Sequence, residues 1–394
     1  MDLTINISKT ISALPETTNL NLSTIISPLK ALFNNGKANL NKQETNNSAL
    51  PHLTATLTRI VLETHDTKSY FFKPEKPLNQ YKAGAHINIK FDANGQTVNR
   101  TYTLSSCPEL TFNTKSAEEF SITVKRVNDG LASNWLFENL TEGKQISVSQ
   151  PQGNFVLPYQ PAGKLLMLSA GSGITPLMSM LRYLAQTGNR SDIIFLHYAQ
   201  SDDDIIFRDE LKRLSTAKDN ITTHFSVERI NNTSTTRSTN DICQGRITKK
   251  QLSAIVPDVL DREVYLCGPQ PFMKATVKIL DLIKFKPSQI HLENFTADLS
   301  AATQLGYSAE LRFSSLNQSI QSSPSRTILE EAEAAGLKPA SACRTGICRS
   351  CRCKKTSGTT VNLMTGEESG EAGEAGDYIL PCVSVAKTAT TIEL

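Results

Sequence analysis

Four of the eight cysteines, Cys343, Cys348, Cys351 and Cys353, crowd into eleven residues, and Cys382 follows Cys351 after a gap of thirty. In a chain of 394 residues, thiols so clustered hold a metal more often than they form a disulfide scaffold. Structural zinc usually takes its ligands as two close pairs. Here the spacing is C-x4-C-x2-C from Cys343 to Cys351, completed by the distant Cys382, which is a ligand pattern of a [2Fe–2S] cluster. The loop PASACRTGICRSC is rich in Ala, Ser and Gly. Such small side chains let backbone N–H groups close around inorganic sulfide and raise the reduction potential. Cys353 is expected to be a bystander, and Cys107, Cys243 and Cys267 are scattered.

A second set of motifs lies upstream. Arg100-Thr101-Tyr102-Thr103 resembles the R-x-Y-[ST] motif of the ferredoxin–NADP reductase superfamily. Thr123-Val124-Lys125 and Gly130-Leu131-Ala132-Ser133 follow in that family's order. The resemblance implies that Arg100 contacts flavin phosphates, Tyr102 packs on one face of the isoalloxazine, and Thr103 hydrogen-bonds the nitrogen that accepts hydride. Each role suits the residue. A guanidinium fork matches a diphosphate, an aromatic face matches a flat ring, and a hydroxyl either donates or accepts as the redox state changes. Ser133 and the neighbouring amides, ahead of the helix-like NWLFENL, suit a pyrophosphate at a helix N-terminus. This second phosphate element favours FAD over FMN.

Gly171-Ser172-Gly173-Ile174-Thr175-Pro176 joins the apolar strand KLLMLS to the helix PLMSMLRYLA. Glycines permit close backbone approach to a pyrophosphate, the helix N-terminus supplies free N–H groups, and Pro176 falls in the first turn, where proline is tolerated. Cys267-Gly268-Pro269 closes the strand EVYL. The resemblance sets that Cys–Gly pair beside the nicotinamide, with Thr175 helping to position it. Glu293 and Phe295, in ENF, resemble the E-x-F that ends this module in oxygenase-type reductases.

These motifs need elements to carry them. Residues 1–50 are rich in Asn, Thr and Ser, with one apolar stretch at 24–33, and read as a poorly ordered extension. From 51 to 160, short alternating runs such as HLTATLTRIVLET and EFSITVKRV predict an antiparallel β-barrel that binds FAD. From 161 to 296, strand–helix alternation predicts an α/β parallel-sheet domain that binds NAD(P). Residues 297–308 have linker composition, and 309–394 read as hairpin, helix and cysteine loop of an α+β (β-grasp) ferredoxin domain.

The balance of 41 Lys and Arg against 38 Asp and Glu gives no reason to expect a nucleic-acid partner. No run approaches the roughly 18 apolar residues of an integral membrane span. The N-terminus lacks a signal peptide's basic and apolar regions, so the cytoplasm is the expected location. Flavin, nucleotide, then C-terminal ferredoxin resembles the order of the phthalate dioxygenase, phenylacetyl-CoA epoxidase and hybrid-cluster protein reductases. The stretches DGLASNWL, AGSGITPLMSM, DDIIFRDE, CGPQPFM and ENFT most resemble the last. The expected function is an NAD(P)H-dependent oxidoreductase passing electrons through FAD and the cluster to a partner metalloprotein: an oxygenase, a desaturase or a hybrid-cluster protein. A stand-alone diaphorase or oxidase, or a non-enzymatic redox sensor, is the rival. The acidic run Asp202-Asp203-Asp204 after Gln200 favours NADH, because carboxylates repel a 2′-phosphate whereas Gln200 or Asp202 suits a ribose hydroxyl. The same run also reads as a solvated cap of the next helix, and Arg229 or Arg237 offers a cation to a phosphate.

Overall fold

The protein is described from a computed structural model covering residues 52–394, apart from 94, 109–118, 129, 231–241, 296–298, 300–301, 304, 317–318, 342–343, 345, 347–348, 365 and 371–376. The expected extension 1–50, the expected ligands Cys343 and Cys348, and Arg237 lie outside the described residues.

Period-two alternation builds six antiparallel strands: β1 (Leu53–Thr64), β2 (Thr67–Pro74), β3 (His86–Ala93), β4 (Gln96–Thr103), β5 (Phe120–Lys125) and, after helix α1 (Leu131–Asn139), β6 (Gln145–Val148). Their order is β4-β3-β6-β1-β2-β5. An antiparallel bridge between Leu104 and Ile122 joins the two edges, so the sheet closes into a barrel. Leu57, Tyr70, Phe72, Ile87, Ile89 and Ile122 fill it. Helix α1 plugs one end with Leu136, whose carbonyl accepts the Tyr70 hydroxyl at 3.0 Å.

Next come β7 (Lys164–Ala170), α2 (Ile174–Gln186), β8 (Asp192–Ser201), α3 (Arg208–Ala217), β9 (Ile221–Arg229), β10 (Ile242–Gln244), α4 (Lys249–Ile255), β11 (Glu263–Cys267), α5 (Gln270–Leu282) and β12 (Ile290–Glu293). The sheet is parallel throughout, ordered β10-β9-β8-β7-β11-β12. Its central strands are continuous apolar runs because helices cover both faces. The chain winds outward from β7 to β10 and then returns to β11 on the other side of β7. The carboxyl ends of β7 and β11 therefore meet where the winding reverses, the place where such sheets bind ligands. Arg262, only 3% exposed, clamps the opposite edge, bonding Asp258, Asp192 and the Leu165 carbonyl. Ala83, Phe155 and Leu157 of the barrel side join the core of this sheet. The Ser179 hydroxyl, on α2, accepts from the Gly84 N–H at 3.2 Å and donates to the Ser106 carbonyl at 2.7 Å, tying the two domains.

The third domain opens with the hairpin β13 (Glu310–Phe313) and β14 (Ser319–Gln321), then α6 (Ile328–Ala334), whose Thr327–Glu330 capping box fixes its start. Strands β15 (Cys353–Ser357), β16 (Thr360–Asn362), β17 (Tyr378–Ile379), β18 (Ser384–Ala386) and β19 (Thr390–Glu393) complete a sheet ordered β14-β13-β19-β15-β17 and the pair β16–β18. Strand β17 stops at Ile379, short of Cys382. Pro381 has no N–H for a ladder, and Cys382 instead sits on a single 3₁₀ turn, Pro381–Val383. Among the described residues, no helix is long and apolar enough to cross a membrane.

Candidate functional site

Strand alternation splits the first motif. Arg100 and Tyr102 share one face of β4, while Thr101 turns to the other and donates its hydroxyl to Asn88, its cross-strand partner. Arg100 is half-buried, and its guanidinium donates to the Asn99 carbonyl at 2.9 Å. Burial, and then the charge of Arg344 from the cysteine loop, pulls Arg100 below its ordinary pKa. A half-buried guanidinium fits an anionic diphosphate. Burial pushes the Tyr102 phenol up to about 12, so it stays neutral. Thr103 closes the strand, 7% exposed, and its hydroxyl has no partner among the described residues.

The second motif is largely structural in its side chains. The Thr123 hydroxyl joins Ser69 and Ser105, each at 2.8 Å, and Val124 is buried in the barrel. Lys125 is bound by Asp66, the turn residue between β1 and β2, at 2.7 and 2.5 Å. Gly130 caps α1, which begins at Leu131, two residues earlier than Ser133. Ser133 therefore lies inside the first turn, where its hydroxyl accepts from the Val127 N–H at 3.1 Å. Leu131 stays 41% exposed and Ala132 is buried, and no acidic side chain occupies that first turn.

At the reversal of the parallel sheet, Gly171, Ser172 and Gly173 form a 3₁₀ turn leading into α2 at Ile174. Gly171 has φ +52°, and open space lies where its side chain would be, so its backbone is presented to whatever enters. At Gly173 a Cβ would lie 2.3 Å from the Cys267 carbonyl oxygen and 2.6 Å from the Gly268 nitrogen; only glycine lets the two turns meet. The Thr175 hydroxyl donates to the Ser172 carbonyl at 3.1 Å, Pro176 is buried in the first turn, and Pro269 caps α5. Cys267 is fully buried, paired in register with Glu293 of β12. Burial, then the Glu293 charge, pushes the Cys267 thiol up. Burial pushes Glu293 itself up to about 8, and its Oε2 has no partner among the described residues. Phe295 packs against the same core.

A cavity of about 900 Å³ opens beside these turns, lined from the barrel by Asp66, Lys125 and Asn128 and from the sheet by Ser172, Gln200 and Arg229. Glu63, His65 and Asp66 at the β1–β2 turn were missed by sequence reasoning; a turn aspartate carries no signal of what faces it across a domain boundary. His65, Asp66 and Asp204 cluster closely enough to ligate a cation, but the Lys125 ammonium already lies 2.5 Å from Asp66 and 3.9 Å from Asp204. The reading of Asp202–Asp204 as a solvated helix cap is corrected. Asp202 and Asp204 are buried in a 3₁₀ turn, and Asp204 accepts from the Ser201 N–H and hydroxyl at 3.0 and 2.7 Å. Helix α3 begins later, at Arg208, behind a left-handed Phe207. Gln200 alone is exposed at the strand end, and Arg229 sits at the cavity wall. His197, fully buried beside Ser169 at 2.8 Å, is driven down to about 3 by burial, then by Lys125, so its ring is uncharged at neutral pH.

In the third domain the Cys351 and Cys382 sulfurs lie 3.3 Å apart, 6% and 4% exposed, as thiols rather than a disulfide. Leu329 and Val383 shield them. Two adjacent buried thiols suit a shared metal centre. Cys353 points into the domain core instead.

Three sequence families match in the order of the three domains. They are an oxidoreductase FAD-binding domain over 54–157, an oxidoreductase NAD-binding domain over 167–278, and a 2Fe-2S iron-sulfur cluster binding domain over 313–387. A glycine betaine monooxygenase reductase subunit from Chromohalobacter salexigens is 35% identical over 356 residues, covering 85% of this chain and 93% of that protein. A stachydrine N-demethylase reductase subunit from Rhizobium meliloti is 32% identical over 331 residues, covering 82% and 91%. The solved structure of phthalate dioxygenase reductase matches with a TM-score of 0.57 at 23% identity, over 87% of this chain and 98% of that one, and shares the fold. Barrel, parallel sheet and cysteine-loop domain together make a modular flavin and iron–sulfur oxidoreductase. The chain belongs to the ferredoxin–NADP reductase superfamily, in the group that carries a C-terminal [2Fe–2S] domain. It is an NAD(P)H-dependent reductase that moves electrons from the nicotinamide through flavin to the cluster.

Proposed function

We propose that this chain is the reductase component of an oxygenase system, working in the cytoplasm, where reduced nicotinamide is supplied. The supporting observation is a relative named as the reductase subunit of a monooxygenase, 93% of whose length is covered at 35% identity. The flavin and the cluster together supply the conversion of one hydride into two single-electron transfers. The chain's own residues orient and shield. Arg100 and the N–H groups at Gly130–Ser133 hold the FAD phosphates, Tyr102 covers the ring, and the free Thr103 hydroxyl meets the hydride-accepting nitrogen. The backbone of Thr123–Lys125 lines the flavin edge. Gly171–Pro176 and Cys267–Pro269 hold the dinucleotide, with Phe295 backing that edge. Cys343, Cys348, Cys351 and Cys382 are the four cluster ligands. In this reading the flavin domain spans 51–160, the nucleotide domain 161–296 and the ferredoxin domain 309–394.

NADH is the preferred donor. Gln200 is placed to bond a ribose hydroxyl, and the carboxylates around the cavity disfavour a 2′-phosphate, although Arg229 stands at the same wall. An oxygenase is favoured over a desaturase or hybrid-cluster protein as acceptor because a relative at 35% identity is named as the reductase subunit of a monooxygenase.

The test is Cys351→Ser in the full-length protein. Ferricyanide reduction at the flavin persists, while electron delivery to cytochrome c and to a purified oxygenase falls by an order of magnitude or more. A variant that keeps both rates is a stand-alone diaphorase, and the proposal fails. A higher kcat/KM with NADPH than with NADH overturns the donor assignment.

A further inference from the structure

Beside Cys351 the fold displays two arginines that no carboxylate among the described residues neutralises. Arg349 and Arg352 close a turn around that cysteine, with the Arg352 N–H donating to the Arg349 carbonyl at 3.0 Å. Arg349 holds φ 57°, a conformation unfavourable for any residue with a Cβ, so the turn is imposed by its surroundings. Both side chains are exposed. The Arg352 guanidinium lies 3.9 Å from the ring centroid of Tyr378, itself 49% exposed and four residues ahead of Cys382. One stacked cation–aromatic pair thus flanks both buried thiols.

Neighbouring cations are treated differently. Arg344 is paired with Glu333, Lys354 with Glu393 and Lys355 with Asp377. Arg349 and Arg352 enter no ion pair among the described residues. Arg344, at the other end of the loop, acts by its charge on Arg100 of the barrel.

We propose that the face formed by Arg349, Arg352 and Tyr378 docks the one-electron acceptor, a protein that presents an acidic patch around its own redox centre. This rests on the reading that electrons leave through the cluster. Uncompensated charge beside the exit steers an oppositely charged partner and is screened by salt. Arginine and tyrosine are the residue types that carry interface energy, and a guanidinium already stacked on a ring loses less freedom on docking. The acid-rich stretch with exposed Glu367 and Glu368 lies in the same domain, and Glu368 is paired with Lys387. A basic acceptor would choose that stretch instead.

The experiment uses holoenzyme reduced by NADH and two haem acceptors of opposite charge, acidic cytochrome b5 and basic cytochrome c, followed by haem absorbance. Wild-type reduction of cytochrome b5 should slow severalfold as salt rises from about 20 to 200 mM. Arg349→Glu/Arg352→Glu should slow it on the order of tenfold at low salt and speed cytochrome c. NADH–ferricyanide turnover and the cluster's EPR signal stay at wild-type levels in that variant. An unchanged cytochrome b5 rate with the cluster signal intact overturns the proposal. If the double variant does not fold, Arg352→Gln and the wild-type salt series decide, and a cytochrome b5 rate that rises with salt is equally fatal. Cytochrome b5 reduction that survives Cys351→Ser would instead sink the cluster-exit reading beneath it.

Discussion

Glu293 is a carboxyl with 7% of its surface exposed, an unpartnered Oε2, and the buried Cys267 as its cross-strand neighbour. Its pKa is raised from 4.5 to about 8. The unfolded chain releases this proton near pH 4.5, whereas the folded protein keeps it to about pH 8. Through that window the native state binds more protons, so stability falls as pH rises, by about 1.4 kcal/mol per pH unit. Over the whole interval this amounts to roughly 5 kcal/mol as a ceiling, and the loss stops above pH 8. Glu293→Gln removes the titration while keeping the shape. Between pH 5 and 8 the wild type should lose roughly 2–4 kcal/mol relative to the variant. That corresponds to a differential Tm change of about 4–12 °C for a domain of this size. Thermal denaturation of both proteins at pH 5, 6.5 and 8 measures it. Parallel Tm–pH curves for the two would refute the argument, because they would mean the carboxyl is ionised in the native protein.

Three further outcomes follow from the geometry. Tyr102→Ala should weaken flavin retention by about 1–3 kcal/mol, read as the flavin-to-protein ratio after gel filtration; full occupancy would remove Tyr102 from the site. The flavin released by denaturing the wild type should chromatograph as FAD. Gly173→Ala should cost about 1–3 kcal/mol and raise KM for the nucleotide without loss of flavin, since its Cβ meets the Cys267 and Gly268 backbones. Normal Tm and KM together would contradict that. Arg262→Met should lower stability at pH 7 by about 2–3 kcal/mol. Its Asp258 partner is held down to about 2 from 3.8, chiefly by the Arg262 hydrogen bond. That contribution is present above pH 3.8 and lost as pH falls toward 2, so the difference between variant and wild type should shrink in acid.

The cysteine spacing and the order of the R-x-Y-T, glycine-turn and Cys–Gly motifs were legible as chemistry because ligand number and backbone clearance depend on neighbours within a few residues. Periodicity marked the barrel and the parallel sheet for the same reason: alternation and continuous apolar runs are local. What those motifs touch was less legible. Thr101, Thr123 and Ser133 read as ligand contacts, yet their hydroxyls are bound by Asn88, by Ser69 and Ser105, and by the Val127 N–H. The strand's own period of two turns Thr101 away from Arg100 and Tyr102, a consequence of pairing that the motif's letters do not display.

By itself, the chain's sequence determined the three-domain order and the cofactor classes, because each is written in contiguous residues. Only the tertiary structure decided which charges are compensated. Asp66 meets Lys125, Asp202 and Asp204 turn inward rather than facing water, Arg344 is neutralised, and Arg349 and Arg352 find no carboxylate among the described residues. Such pairings join residues from separate elements and domains. Coulomb energy depends on distance and burial in space, and neither is set by separation along the chain.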